Sequence, residues 1–139
     1  RKLPSKGGRA MMAFQQRVTQ FIREHKEDEE MKVFVDAIKE ASKLLTDITM
    51  NALMSKAAKD QEEGGAVASN YLNLFALTAI GYLMGVQAKV ALGREGRFYE
   101  TKVKMAKYYM QQILPEIHSL AAIIRYGKQN MMAFELDEF

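Results

Sequence analysis

Apolar residues recur every three or four positions along most of the chain, the spacing of helices with one buried face. Three such helices are predicted, over residues 11–23, from Asp28 to about Lys59, and from about Arg97 to Gly127. No stretch alternates as a β-strand does. The apolar seams are Met11, Phe14, Val18 and Phe21 in the first helix, Met31, Phe34, Ile38, Ala41, Leu45, Ile48 and Ala52 in the second, and Tyr99, Val103, Ala106, Met110, Ile113, Ile117, Leu120 and Ile124 in the last.

A further helix, predicted over residues 67–92, is apolar on every side, and residues 64–88 contain no charged residue. Its length would suffice for a membrane span. The other three helices, however, each have one apolar seam that needs a neighbour, and a helix that is apolar all round suits the centre of such a packing. Part of its circumference would remain uncovered and would mark an interface with another domain or subunit. The pattern therefore predicts an all-α, antiparallel four-helix bundle with a near all-round apolar third helix and no membrane span.

Two local features refine this bundle. Pro115 falls inside the last seam, and an interior proline removes a backbone hydrogen bond, so a kink is predicted near residues 111–114. The fourth helix is therefore expected to be Pro-kinked. Gly81 and Gly85 lie on one face of the third helix, where small side chains permit the close approach of a partner helix.

Charge is unevenly distributed along the chain. Residues 1–23 carry six Lys or Arg and no acid, residues 24–63 carry eleven acids against six bases, and residues 94–128 carry seven bases against three acids. Acidic and basic helices in one small domain are expected to be neighbours, and no nucleic-acid role is predicted. The absence of cysteine excludes disulfides and is compatible with the cytoplasm.

The domain organisation follows from these patterns. Residues 1–10 form a basic connector, residues 11–127 form one helical bundle and residues 128–139 form a tail. Because the chain begins with Arg1 in a Pro- and Gly-containing stretch, it is expected to be a piece of a longer polypeptide.

Candidate chemistry is sparse. His118 is two residues from Glu116, whereas two ligands on one helical face need a spacing of three or four, so no metal site is predicted. No residue is predicted to be catalytic or to bind a cofactor. Arg94, Arg97 and Lys102 could contact an anion, and the competing interpretation is a solvated face that opposes the acidic helix.

Two segments resemble a known family. NYLNLFALTAIGYLMG at residues 70–85 and FYETKVKMAKYYMQQILPEIHSLAAIIRYG at residues 98–127 are similar to the additional C-terminal helical domain of a subgroup of acyl-CoA dehydrogenases. The opening RKLPSKGGRAM resembles the junction with the dehydrogenase body, and FELDEF resembles the acidic C-terminus. The matching positions are Tyr71, Leu72, Leu74, Phe75, Gly81, Phe98, Tyr99, Lys102, Ala106, Tyr108, Tyr109, Leu114 and Pro115.

The resemblance implies a parent enzyme that uses FAD to desaturate an acyl-CoA between its α and β carbons and passes electrons to an electron-transfer flavoprotein. The base and the flavin contacts would belong to preceding domains of the same chain. This segment would be a non-catalytic accessory domain that packs between domains or in a homo-oligomer, with its basic last helix near CoA. The alternative is a free-standing helical interaction module that pairs through the face of Gly81 and Gly85.

Overall fold

The computed structural model describes residues 8–50 and 61–132, with side chains at 9–50 and 69–126, and within these ranges it contains helices and no strand. The predicted all-α bundle is confirmed. Its fourth helix is split into two by a π-helical turn. The helices are α1 (Gly8–His25), α2 (Lys32–Ile48), α3 (Gln61–Leu92), α4 (Arg97–Tyr108) and α5 (Glu116–Met132), with the π-helix at Tyr109–Ile113 between the last two.

Three predicted boundaries differ from those observed. Helix α1 begins at Gly8, inside the predicted connector, and α3 begins at Gln61, so that Gly64 and Gly65, which precede the predicted start at residue 67, are helical. Helix α5 continues through Gly127, its predicted end, to Met132. An interior glycine costs only about 1 kcal/mol relative to alanine, which good helix-forming neighbours offset. The predicted end of α2 near Lys59 lies outside the described residues.

The entry to α2 is fixed by a side-chain cap. Asp28, where the second helix was predicted to begin, accepts a hydrogen bond from the Glu30 backbone N–H at 3.1 Å and caps the 3-10 turn Glu29–Met31 that leads into α2. Lys89 near the end of α3 lies 3.0 Å from the same carboxylate. The hydrogen bond from Lys89 is the main cause that lowers the pKa of Asp28 below its usual value.

The predicted seams form the core. The α2 seam is buried from Met31 to Ile48, and Val18 and Phe21 of α1 are buried against it. From the fourth helix the buried side chains are Ala106, Tyr109, Met110, Leu114, Ile117, Leu120, Ala121 and Ile124.

Polar contacts fix the register between helices. The Gln15 amide of α1 donates to Thr46 Oγ1 at 2.6 Å and accepts a hydrogen bond from the buried Ser42 hydroxyl. Thr49 and Tyr71 hydroxyls lie 2.8 Å apart between the end of α2 and the early part of α3. Tyr71 in the first half of α3 contacts the end of α2, whereas Lys89 near the end of α3 contacts Asp28, just before α2. The two helices are therefore antiparallel.

The acidic helix α2 lies beside α5, the second half of the predicted basic helix. His118 Nε2 lies 2.9 Å from Glu40 Oε2, and Arg125 donates to Asp47, so two polar contacts join α2 to α5. All four side chains are substantially exposed, and exposed pairs contribute about 0–1 kcal/mol each. Their effect is on the alignment of the helices more than on stability.

The predicted kink takes the form of a π-turn. Leu114 N–H donates to the Tyr109 carbonyl five residues earlier, at 2.8 Å, and α5 starts directly after Pro115. A proline at this position loses nothing, because the first N–H groups of a helix have no intrahelical acceptor. The wider turn places Leu114 above Tyr109 in the core, and Ile113, predicted to be in the seam, is 37% exposed.

Tyr109 predicts a specific dependence of stability on alkaline pH. Burial, with the charge of Glu116 as a smaller cause, raises the pKa of Tyr109 from 10.0 to about 12. The protonated hydroxyl donates to the Leu77 carbonyl at 2.6 Å. Since the folded-state pKa is the higher one, this stabilisation is complete below pH 10 and is lost as the pH rises towards 12. Tyr109→Phe should cost about 1 kcal/mol at neutral pH, and that cost should shrink above pH 10.

Urea denaturation at pH 7 to 11.5 checks this expectation. Tyr126→Phe is the matched control, because Tyr126 is 58% exposed. A cost of Tyr109→Phe that stays constant up to pH 11.5 would contradict the assignment.

Candidate functional site

Helix α3 has two faces with different roles. Its inner face consists of Leu74, Thr78, Gly81, Gly85 and Ala88, all buried and spaced by three or four residues. Thr78 is 1% exposed and its hydroxyl donates back to the Leu74 carbonyl at 2.9 Å, so this polar group is satisfied within the helix. The inner face is thus a closed part of the bundle core.

The two glycines meet helices of the same chain. A Cβ atom at Gly81 would lie 3.5 Å from Leu114 and Tyr109, an ordinary contact. A Cβ atom at Gly85 would lie 2.5 Å from Ile38 Cδ1 and 3.3 Å from Phe21 Cζ, which requires those side chains to shift. The close approach that the small residues predict is therefore made by α1, α2 and the fourth helix, and a partner at this face would have to displace them.

The opposite side of α3 is uncovered and apolar. We call it the outer strip and define it by Leu72, Ala76, Ile80, Leu83, Gln87 and Val90, which are all exposed and recur at steps of four, four, three, four and three. The largest exposed fractions are those of Leu72 (64%), Leu83 (61%) and Val90 (52%). The strip contains no charge and extends about 27 Å at 1.5 Å per residue. Among the residues that the structure describes, part of the all-round apolar helix therefore has no neighbour, as predicted.

The outer strip was foreseen as a feature but not residue by residue. The signal for its members was present in the inner face, since residues half a turn away from Gly81 and Gly85 must point outward. The hydrophobicity pattern does not reveal which face is buried, because both faces are apolar and most of the large aliphatic side chains lie on the exposed one.

Helix α3 also satisfies the length and hydropathy of a membrane span. Among the described residues it is the one such candidate, over Ser69–Leu92 with a mean hydropathy of 1.4, and 33% of that window is buried in the bundle. The central helix of a bundle passes the same test, so this property alone does not indicate a membrane.

The three basic candidates lie together where α3 turns into α4. The Arg94 guanidinium lies 5.6 Å from the centroid of the Tyr99 ring, and Lys102 Nζ lies 5.3 Å from the centroid of the Phe98 ring. Arg97 begins α4 after Gly96, whose φ of +119° makes the turn. The ion pairs between described side chains include none of the three bases, and both interpretations of this corner, an anion contact and a solvated face, stay predictions.

The described residues offer few other groups that could bind a ligand or take part in catalysis. No group of three potential metal ligands occurs among them. A shallow cavity of about 680 Å³ between α2 and α5 is lined by Glu40, Leu44, Asp47, Met50 and His118 among others. Glu40 and His118, which contact each other, both line it.

Within the described residues, the chain is a helical bundle whose third helix carries an uncharged apolar strip on its exposed side. Comparison with known protein families gives a match. The family model described as acetyl-CoA dehydrogenase C-terminal like matches residues 14–135. The chain belongs to this family, which confirms the resemblance found in the two motif segments. A search of curated proteins finds no match.

Proposed function

We propose that this chain is the C-terminal accessory helical domain of an FAD-dependent acyl-CoA dehydrogenase and that it serves packing between domains or subunits. The observation that carries the proposal is the outer strip of α3 in a domain of this family. An exposed helix face normally carries charged residues, and a face without any needs a protein neighbour.

The reaction would take place outside this chain. Preceding domains of the parent polypeptide would bind FAD, remove a proton from the α carbon of an acyl-CoA and pass a hydride from the β carbon to the flavin. An electron-transfer flavoprotein would then reoxidise the flavin, in the cytoplasm. The described side chains supply no shielded carboxylate or nucleophile for such a step, which supports a non-catalytic role for this segment.

The visible spectrum of the full parent polypeptide tests this proposal. We expect a flavin spectrum that one member of an acyl-CoA panel bleaches in the absence of oxygen, and we expect the 139-residue chain alone to remain colourless. A parent protein that is colourless and cannot be reconstituted with FAD would refute the dehydrogenase assignment. Flavin binding or acyl-CoA oxidation by the 139-residue chain alone would refute its non-catalytic role.

A further inference from the structure

Two aromatic rings lie side by side on the surface where α3 turns into α4. The centroids of the Phe98 and Tyr99 rings are 5.2 Å apart, and the ring planes are nearly perpendicular. Neither ring is part of the buried core, and Phe98 is 64% exposed. A phenylalanine ring in water gains no stabilisation from burial, so packing within the bundle does not account for Phe98.

Cations lie at both ends of this ring pair. The Arg94 guanidinium lies 5.6 Å from the centroid of the Tyr99 ring and donates to the Tyr99 hydroxyl at 3.4 Å. Lys102 Nζ lies 5.3 Å from the centroid of the Phe98 ring. Exposed contacts of this kind contribute about 0.5–1 kcal/mol, so they position the two cations without neutralising them. The result is a row of cation, ring, ring and cation.

The positive charge of this surface is not compensated within the part of the chain that the structure describes. Residues 94–107 carry five bases and two acids, Glu95 and Glu100. None of the five bases forms an ion pair with a described side chain, whereas Lys89 and His118 each lie beside a carboxylate elsewhere on the bundle. An anionic ligand would supply the missing negative charge.

The combination of rings and cations favours a nucleotide over other anions. Phosphate groups accept charge-assisted hydrogen bonds from arginine and lysine, and a flat base stacks on an exposed aromatic ring. An extended nucleic-acid strand fits less well, because its successive phosphates would meet Glu95 and Glu100 within the same short stretch. A single nucleotide has few phosphates and needs only the bases around the ring pair.

We propose that Arg94, Arg97, Phe98, Tyr99 and Lys102 form a nucleotide-binding cluster, with the base of the ligand on the Phe98 ring and its phosphates held by the three cations. The inference goes beyond the proposed function and does not depend on it. A free nucleotide and the adenosine end of a CoA thioester present the same base and phosphate chemistry, so both are sources of the ligand.

Equilibrium dialysis of the full parent polypeptide with ADP tests the role of the cations. We expect Arg94→Gln and Lys102→Gln each to raise the Kd for ADP at least about tenfold, because each removes a charged donor. Lys102→Arg keeps the charge and should stay within about threefold of the unsubstituted protein. The matched control is Arg17→Gln, on the exposed side of α1, which should leave the Kd within about twofold. An ADP affinity that neither Arg94→Gln nor Lys102→Gln lowers would overturn the proposal.

Pyrophosphate, which has phosphates but no base, tests the role of the ring. Phe98→Leu keeps an apolar side chain but removes the stacking surface, so we expect it to weaken ADP at least about fivefold. The same variant should leave the Kd for pyrophosphate within about twofold, since the cations remain. Equal losses for ADP and pyrophosphate would assign Phe98 a structural role and refute the placement of the base.

The two sources of the ligand give different kinetics. If the ligand is a CoA thioester, Arg94→Gln raises the KM of the parent for its acyl-CoA, which Arg17→Gln leaves unchanged. If it is a free nucleotide, Arg94→Gln weakens ADP and has no effect on that KM. Either result supports a nucleotide site.

A nucleic acid at this surface would contradict the proposal. The result that would show it is a single strand of about ten nucleotides that binds more tightly than ADP and is weakened by Arg94→Gln. A parent without flavin that still binds ADP through Arg94 would refute the proposed function alone. A flavin-containing parent whose ADP affinity ignores Arg94 and Lys102 would refute this inference alone.

Discussion

Phe34→Ala should lower the free energy of unfolding by about 3–5 kcal/mol, the usual loss for a large aromatic removed from a packed core. Phe34 is 0% exposed in the middle of the α2 seam, between Met31 and Ile38, which are buried to the same degree. Helix α2 contacts α1, α3 and α5, so a cavity at this position weakens several interfaces together. Since a domain of this size has a total stability of about 5–15 kcal/mol, the variant should unfold at much lower urea concentration.

Urea denaturation followed by circular dichroism measures this effect, and Val33→Ala is the control. Val33 precedes Phe34 in the same helix but is 40% exposed, and alanine has the higher helix propensity. We expect the control to change the free energy of unfolding by less than about 0.5 kcal/mol. Equal midpoints for the two variants would mean that the α2 seam does not face the core.

Phe34 also illustrates why the fold was largely predictable. The seams of α1 and α2 follow steps of three and four without interruption, and every described residue of the α2 seam is buried. Patterns of this kind depend on local geometry and on burial, which act in the same direction here.

Predictions failed where a residue's local preference was weak or where helix geometry departed from 3.6 residues per turn. Gly64 and Gly127 favour a helix end only by about 1 kcal/mol, and both lie inside helices. Just before Pro115 the helix forms a π-turn, which the spacing of apolar residues in the sequence does not reveal. For that reason Leu114 replaces Ile113 in the core, although the position of the break itself was predicted.

The candidate site was less accessible to prediction than the fold. An all-round apolar helix shows that some face lacks a neighbour, but composition cannot decide which face the other helices leave open. Packing determines the exposed face. Ile38 and Phe21 fit closely against Gly85, so the side with the small residues faces inward and Leu83 faces outward. The observed packing differs from the alternative in which the face of Gly81 and Gly85 pairs with a second protein.

Gly85→Leu should therefore destabilise the folded chain by about 2–3 kcal/mol, at the upper range for overpacked cores. Already the first added carbon would lie 2.5 Å from Ile38 Cδ1, and Ile38 is 1% exposed, so the displaced methyl group has little room. Gly81→Ala is the matched control with the opposite sign. Its added carbon would meet Leu114 and Tyr109 at 3.5 Å, and the gain in helix propensity should stabilise the chain by about 0.5–1 kcal/mol.

Urea denaturation at two protein concentrations distinguishes this packing from pairing between chains at the glycines. If Gly81 and Gly85 face the core, both shifts in the free energy of unfolding are independent of protein concentration. A Gly85→Leu protein that keeps its unfolding midpoint but loses self-association would place the partner on the glycine face. Because Leu83 and Gly85 lie on opposite sides of α3, Leu83→Glu should change the free energy of unfolding by less than about 0.5 kcal/mol, whereas Gly85→Leu lowers it.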